Sequence, residues 1–308
     1  MLFRSRLALL PGLVLAALPL LAWVASGLAL APLLGGPPEV WRLMEAMGPY
    51  SVLMAVTGVG VTLLLSVLMS QGPSGRRAPL MVLLGLATLP WLIGNAGTQE
   101  SLENVLLALP DMSRADALDV LVTGTGEAMV TRLLGAWMSA ALLGAVAVGL
   151  VLLHRGTPLV RQEAGGLLGA ALGLVLGIIA LLVALEANQL FELLTTLATR
   201  APEARAGLVT AGIEDFRHLH ALRTVPLGLL AVLTLALIGW QFFLQPRAVT
   251  QLAGSLVLAG IAAAVLILDA RPMRLATERT LLPMLVIHGS PGGPLPGPTT
   301  PLGAVAGP

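Results

Sequence analysis

The amino-acid sequence predicts an all-α fold, a polytopic transmembrane helix bundle of about seven spans. Hydrophobic residues make up 56% of the 308 residues and charged residues only 11%, and the mean hydropathy is +0.91. These values are far more apolar than those of a soluble domain. Apolar runs recur along the chain, and most approach the roughly 20 residues that a helix needs to cross about 30 Å of hydrocarbon. The sequence is therefore typical of an integral membrane protein.

The predicted spans follow one another with short loops between most of them. They lie at about residues 7–34, 48–69, 79–94, 133–153, 165–185, 225–244 and 252–268. The first follows Arg4 and Arg6 and is longer than the apolar stretch of a secretory signal, so an uncleaved signal-anchor helix is favoured over a cleaved signal. We expect Pro11 and Pro19 to bend this helix without ending it.

The spans and the segments between them divide the chain into four parts. Residues 1–47 form the signal-anchor helix and a linker, 48–160 a three-helix unit, 161–288 a repeat-like helix pair with the last span, and 289–308 a tail rich in Pro and Gly. The tail has no charged residue, which is typical of a flexible or polyproline-like segment. Plain disorder is the favoured interpretation of the tail, and a partner-binding segment is the alternative.

Short basic loops indicate the orientation of the chain. The loops after spans two, four and six carry basic residues and almost no acid (Arg76, Arg77, Arg155, Arg161 and Arg247). By the positive-inside rule these loops lie in the cytoplasm. The N-terminus is then cytoplasmic, and the expected location is a bacterial cytoplasmic (inner) membrane that the chain crosses several times. Two long polar segments, at about 95–132 and 186–223, and the C-terminal tail are then external.

The two long polar segments resemble each other in sequence. Residues 121–127, Leu-Val-Thr-Gly-Thr-Gly-Glu, align with residues 208–214, Leu-Val-Thr-Ala-Gly-Ile-Glu, at an offset of 87 positions from 127 to 214. At the same offset Asp116 aligns with Glu203. This pattern indicates a parallel internal duplication of a helix–polar segment–helix unit. Chance similarity between segments rich in Ala and Leu is the alternative.

Several classes of chemistry are excluded or disfavoured. Cysteine is absent, which excludes disulfides and thiolate sites, and a net charge of +1 gives no reason to expect nucleic acid. We predict no catalytic residue, metal or cofactor. A metal enzyme using Glu214, His218 and His220 is a minor alternative, because on a helix His220 points away from the other two. These residues more simply belong to a solvated surface with salt bridges, together with Asp215, Arg217 and Arg223.

Ionisable residues near the span ends are the candidates for chemistry, because the span cores contain no Asp, Glu, Arg or His. Glu127 could be drawn into the helix that follows it, with Thr131 four residues later on the same face and Arg132 next to it. A Glu in a protein-lined cavity could exchange a proton. The alternative is an interfacial carboxylate near a helix N-terminus. The corresponding candidates in the second polar segment are Thr210 and Glu214.

Two short motifs resemble those of the MotA/TolQ/ExbB-type proton channels. Residues 94–98, Gly-Asn-Ala-Gly-Thr, are similar to the family's Gly-x-x-Gly-Thr motif. Residues 126–129, Gly-Glu-Ala-Met, with Gly135 eight residues after the Glu, are similar to its Glu-Ala-Leu helix start and the Gly that follows. The order and orientation of spans two to four match the family as well. The resemblance covers about residues 48–153.

The resemblance implies roles for individual residues. It implies that Thr98 and Glu127 line an ion path and that the motif glycines are Gly94, Gly97 and Gly135. The family's second Thr falls on Arg132 here, with Thr131 beside it, and an Arg in the path would repel cations. The family's large cytoplasmic domain shrinks to about residues 71–78, and a duplicated second unit is foreign to the family.

The expected function is that of an energy-transducing, stator-like membrane subunit, in which conduction is either retained or lost. The alternative is a non-conducting membrane scaffold that binds envelope partners through its external segments. The expected partners are the lipid bilayer, further copies of the chain in a homo-oligomer, and envelope proteins.

Overall fold

The computed structural model is helical in nearly all of the residues that it describes. These are residues 2–33, 45, 47–70, 80–109, 114–154, 164–200 and 202–244, with single positions at 260, 264, 268, 271 and 275. The helices are α1 (Leu2–Leu33), α2 (Pro49–Ser70), α3 (Leu80–Ala108), α4 (Arg114–His154), α5 (Ala164–Thr199) and α6 (Pro202–Leu244). The predicted all-α class is confirmed.

Five stretches of helix are long and apolar enough to cross a membrane. They are Pro11–Pro32, Pro49–Ser70, Asp119–Leu152, Leu167–Thr199 and Ala221–Gly239. The third predicted span lies in α3, which is not among the five, and the seventh lies almost wholly outside the described residues. The membrane class is supported by these helices, whereas a count of seven spans stays a prediction.

The outer helices α1 and α6 expose apolar side chains, as lipid-facing helices do. Leu28 on α1 is 72% exposed and Val225 on α6 is 75% exposed. Helix α1 continues through Pro11 and Pro19, as predicted, and it packs against α2 and α4. The indole Nε1 of Trp137 on α4 donates a hydrogen bond to the carbonyl oxygen of Ser26 on α1 at 3.1 Å.

Helix α4 is the centre of the bundle, because it contacts α1, α2, α3 and α5 and makes its most extensive contact with α5. Small residues permit this approach. A Cβ added at Gly177 of α5 would lie 3.5 Å from Leu143 Cβ and 3.6 Å from the carbonyl oxygen of Ala140. Both distances are ordinary van der Waals contacts, so α4 and α5 lie side by side at Gly177 in a way that a small side chain would also permit.

Most of the described residues of the two long polar segments belong to helices that continue from the spans. Helix α3 runs on to Ala108 and α4 begins at Arg114, while α5 ends at Thr199 and α6 begins at Pro202. At 1.5 Å per residue, the 41 residues of α4 extend about 60 Å, which is about twice the thickness of the hydrocarbon core. The chain therefore forms two long helical hairpins, α3–α4 and α5–α6, whose tips extend past the apolar slab.

Two separate apolar clusters stabilise the hairpins. The larger fills the part of the bundle that matches the bilayer, and it includes Trp91, Leu133, Leu143 and Ile179. The smaller lies toward the hairpin tips and brings α3, α4 and α5 together through Leu102, Leu121, Val122, Ala128, Met129, Leu190, Leu194 and Leu197. Between the two clusters lies a layer of buried polar side chains.

Candidate functional site

Four helices contribute to the buried polar layer. Its members are each at most 3% exposed: Asn95 and Thr98 on α3, Thr131 and Arg132 on α4, Glu186 on α5, and Arg223 on α6. The three charged residues lie roughly 30 Å along their helices from the ends at His154, Ala164 and Leu244. That distance is close to the hydrocarbon thickness. Arg132 and Glu186 lie inside the apolar stretches Asp119–Leu152 and Leu167–Thr199, and Arg223 lies near the start of Ala221–Gly239.

Three charged side chains meet at one carboxylate oxygen within this layer. Arg223 Nη1 donates a hydrogen bond to Glu186 Oε2 at 2.9 Å, and Arg132 Nη2 lies 4.0 Å from the same oxygen. The three residues join α4, α5 and α6. Because a charge leaves water only at considerable cost, such groups are kept where each has a partner. We call Arg132, Glu186 and Arg223 the ionic triad.

The triad corrects the prediction for Arg223. That residue was predicted to belong to a solvated surface, but it is 3% exposed and bonded to a residue 37 positions earlier. The prediction was wrong because it grouped Arg223 with its sequence neighbours, whereas the α5–α6 hairpin pairs it with Glu186. Sequence reasoning also missed Glu186, although it is the first acid after Glu163 in a long apolar run. That position was the available signal, since a lone acid on a buried helix needs a partner.

The two family-like motifs lie against each other across the α3–α4 contact. A Cβ added at Gly94 would lie 2.7 Å from the carbonyl oxygen of Thr131 and 3.1 Å from Gly135 Cα. A Cβ added at Gly135 would lie 2.5 Å from the carbonyl oxygen of Pro90. The glycines therefore let the two backbones touch, and any side chain there would push the helices apart.

The hydroxyl of Thr98 ties the motifs together. Its single O–H is shared between two carbonyl oxygens, that of Ala128 on α4 at 3.0 Å and that of Gly94 on its own helix at 2.9 Å. Gly97, one position earlier, faces the Thr131 methyl group and the Tyr50 ring at the start of α2. The Tyr50 hydroxyl donates to Glu100. Helix α2 is thereby fixed to α3 at the level of the polar layer.

A proline inside α3 is accommodated by a serine on α4. Pro90 has no N–H and its ring disturbs the preceding turn of helix. The backbone N–H of the next residue, Trp91, donates to Ser139 Oγ at 2.9 Å. A side-chain acceptor from a neighbouring helix commonly satisfies backbone groups released by proline in membrane helices.

The candidate ion-pathway residues differ in their surroundings. Thr98, Thr131 and Arg132 are buried at the contact between helices, whereas Glu127 is exposed on the surface of α4. Glu127 and Thr131 therefore lie one helical turn apart but in different environments. Thr98 bonds to Ala128, the residue after Glu127. Arg132 lies beside the carboxylate of Glu186.

The candidates of the second polar segment are separated from the triad. Glu214 lies on α6 and is exposed, and the side chain of Thr210 lies outside the described residues. His218 is exposed as well. Among the described residues, no three His, Cys, Asp or Glu side chains come together in a way that could hold a metal ion.

No protein-family model, curated protein or solved structure matches this chain. The likeness to the MotA/TolQ/ExbB-type channels therefore rests on the two motifs, their order and their spacing.

Proposed function

We propose that the chain is a divergent, non-conducting subunit of the MotA/TolQ/ExbB type that serves as a membrane scaffold in an envelope assembly. The observation that carries this proposal is the ionic triad, in which the residue at the family's second Thr position is a buried arginine paired with Glu186. The proposal combines the family-like α3–α4 hairpin with the loss of the ion path.

The electrostatics of the polar layer oppose the passage of a cation. The layer holds two guanidinium groups, those of Arg132 and Arg223, and one carboxylate, that of Glu186. A cation beside the guanidinium groups would meet like charge in a region of low dielectric, where Coulomb repulsion is strong. The Thr98 hydroxyl is also engaged with the Ala128 carbonyl oxygen. These features support a structural role for the residues that resemble an ion path.

The hairpin tips supply a surface suited to a scaffold. Their own apolar cluster joins α3, α4 and α5, which supports a rigid extension rather than loose loops. Acidic side chains are exposed on this extension, namely Glu100, Glu103, Asp116, Asp119 and Glu127. A rigid acidic surface is able to bind basic segments of envelope partners.

Helix boundaries support the proposed internal duplication. Adding the offset of 87 to the bounds of α3 and α4 gives 167–195 and 201–241, and α5 and α6 run over 164–199 and 202–244. Every boundary agrees to within four residues. We therefore propose that the α5–α6 hairpin arose as a copy of α3–α4 and now contributes Glu186 and Arg223 to the triad.

Proton conduction along an intersubunit path is the second candidate. The observation that favours it is the exposure of Glu127 on α4, next to the Thr98–Ala128 hydrogen bond. In a homo-oligomer this carboxylate could face a neighbouring subunit. The two candidates differ in whether the reconstituted protein moves protons.

Proton flux into liposomes distinguishes the two. The full chain is reconstituted with a trapped pH-sensitive dye, and a potassium diffusion potential is applied with valinomycin. We expect flux no greater than that of protein-free liposomes. Flux that is abolished by Glu127→Gln and kept by Asp119→Asn, another exposed acid on α4, would establish the channel and overturn the scaffold proposal.

A scaffold in an assembly should also be oligomeric. We expect native mass spectrometry in detergent to detect a defined homo-oligomer of the full chain. A strictly monomeric protein would contradict the family-like assembly, whatever its proton flux.

A further inference from the structure

The side chain of Asn95 is a buried amide with no protein partner in the described part of the chain. Asn95 is 2% exposed, and neither its Nδ2 nor its Oδ1 has a hydrogen-bond partner there. A primary amide has two N–H donors and an oxygen that accepts. Buried polar side chains nearly always have a partner, either a protein group or an ordered water. This amide therefore calls for a ligand.

The contacts of its helix fix the depth of Asn95. Gly94 packs against the backbone at Thr131 and Gly135, and Thr98 donates to the carbonyl oxygen of Ala128. Because α3 and α4 are antiparallel neighbours, these contacts set Asn95 at the level of Arg132. Asn95 thus belongs to the polar layer on its α3 side.

A second unpartnered donor lies one turn away. Trp91 precedes Asn95 by four residues, so the two share a face of α3. Trp91 is 0% exposed, and its indole Nε1 has no hydrogen-bond partner among the described residues. An indole N–H can only donate. The same face of α3 therefore offers two donor nitrogens, which carry three N–H groups, and one acceptor oxygen, all shielded from bulk solvent.

The chemistry of these groups selects water as the ligand. A halide accepts hydrogen bonds and would leave Asn95 Oδ1 unsatisfied. A metal cation would leave the N–H groups of Asn95 and Trp91 unsatisfied, and it would lie at the level of the positively charged Arg132. Water donates and accepts, and internal waters typically make about three hydrogen bonds to groups of this kind. We propose that Asn95 and Trp91 hold an internal water between α3 and its neighbours. The polar layer is then hydrated as well as ionic, independently of the proposed function.

Radiolytic hydroxyl-radical labelling tests this water directly. Radicals formed from a bound water oxidise the side chains beside it, even where bulk solvent has no access. In the full chain held in lipid nanodiscs, we expect mass spectrometry to find oxidised Trp91. Met69 and Met129 are the controls, because they are 1% and 0% exposed, lie in the apolar clusters and carry a readily oxidised thioether. Both methionines should remain unlabelled.

The Asn95→Leu variant decides whether Asn95 holds the water. We expect Trp91 labelling to fall to the level of Met69, and the melting temperature in detergent to fall as well. If the amide were dry, Leu would remove an unsatisfied polar group and the melting temperature would rise. Thr88→Val on the same helix is the matched control, since the Thr88 hydroxyl is buried and bonds to the Gly85 carbonyl oxygen of its own helix at 2.8 Å.

Three results would overturn the proposal. They are an unlabelled Trp91 in the unaltered chain, labelling that persists in Asn95→Leu, and a rise in the melting temperature of Asn95→Leu. Should Asn95→Leu fail to fold, Asn95→Ala removes the amide without adding bulk and is read in the same way.

Discussion

The two helical hairpins are held together by different chemistry at nearly the same depth. In α3–α4, Gly94 and Gly135 bring the two backbones into contact, and the Thr98 hydroxyl bridges to α4. In α5–α6, a buried ion pair between Glu186 and Arg223 joins the helices. The first hairpin depends on the absence of side chains, and the second depends on the presence of two charged ones.

This difference determines how each hairpin should respond to change. A glycine contact loses stability when any atom is added, because protein interiors have little free volume. An ion pair loses stability when one partner is removed, because the other charge is left buried. Helix α4 belongs to both systems, since Gly135 packs on α3 while Arg132 reaches Glu186.

Removal of the shared carboxylate should have the largest effect. Glu186→Gln keeps the volume of the side chain but removes the negative charge that faces Arg132 and Arg223, and we expect a loss of about 3–5 kcal/mol of stability. Unfolding of the detergent-solubilised protein measures this loss. The control is Glu192→Gln, an exposed acid on the same helix, which should change little. Equal effects of the two variants would contradict a stabilising role of the triad.

Addition of a methyl group at the glycine contact should have the next largest effect. Gly135→Ala places a Cβ against the Pro90 carbonyl oxygen, and we expect a loss of about 1–3 kcal/mol. Gly144→Ala, on the same helix, is the control, because a Cβ added at Gly144 would meet nothing within 4 Å. Both variants gain the helix propensity of alanine, so the difference between their melting temperatures isolates the clash. Similar melting temperatures would disprove the close contact.

Removal of the Ser139 hydroxyl, which lies beside the Pro90 turn, should reduce stability by a smaller amount. Ser139→Ala removes the acceptor of the Trp91 backbone N–H, and we expect a loss of about 1 kcal/mol. Ser66→Ala is the comparison, since that buried hydroxyl bonds only within its own helix, to the Thr62 carbonyl oxygen. A larger effect of Ser66→Ala would contradict the interhelical role of Ser139.

Substitution of Glu127, the exposed acid of the family-like motif, should have the smallest effect on stability. Glu127→Gln should change the unfolding free energy by no more than about 0.5 kcal/mol, as is usual for an exposed position. The melting temperature in detergent checks this expectation. A marked shift would indicate that Glu127 contacts a second copy of the chain and would sharpen the case for an intersubunit site.

Much of the fold was predictable from local sequence. Apolar runs bounded by basic loops and by Gly or Pro located α1, α2 and the membrane parts of α4, α5 and α6. The polar segments were predicted as partly helical external regions, and within the described residues each of α3, α4, α5 and α6 continues from a span into its polar segment without a break. Their helices bury apolar faces against each other, and that stabilisation has no signature in average hydropathy.

The candidate site was predictable only in part. Thr98, Thr131 and Arg132 were selected from sequence motifs, and all three lie in the polar layer. Glu186 and the amide of Asn95 were missed, and Arg223 was assigned to the surface. Each of these residues gains its environment from a helix distant in sequence, which motif spacing along one chain segment does not reveal.

The sequence alone determined that the chain is a membrane-embedded helical protein, because the period and length of apolar runs follow from the thickness of the bilayer. It also indicated where α2 and α4 end, since Gly, Pro and Arg follow both helices in the sequence. Only the tertiary structure decided which polar residues meet. Burial of Arg132, Glu186 and Arg223 depends on the antiparallel register of three helices, and that register is set by packing between residues far apart in the chain.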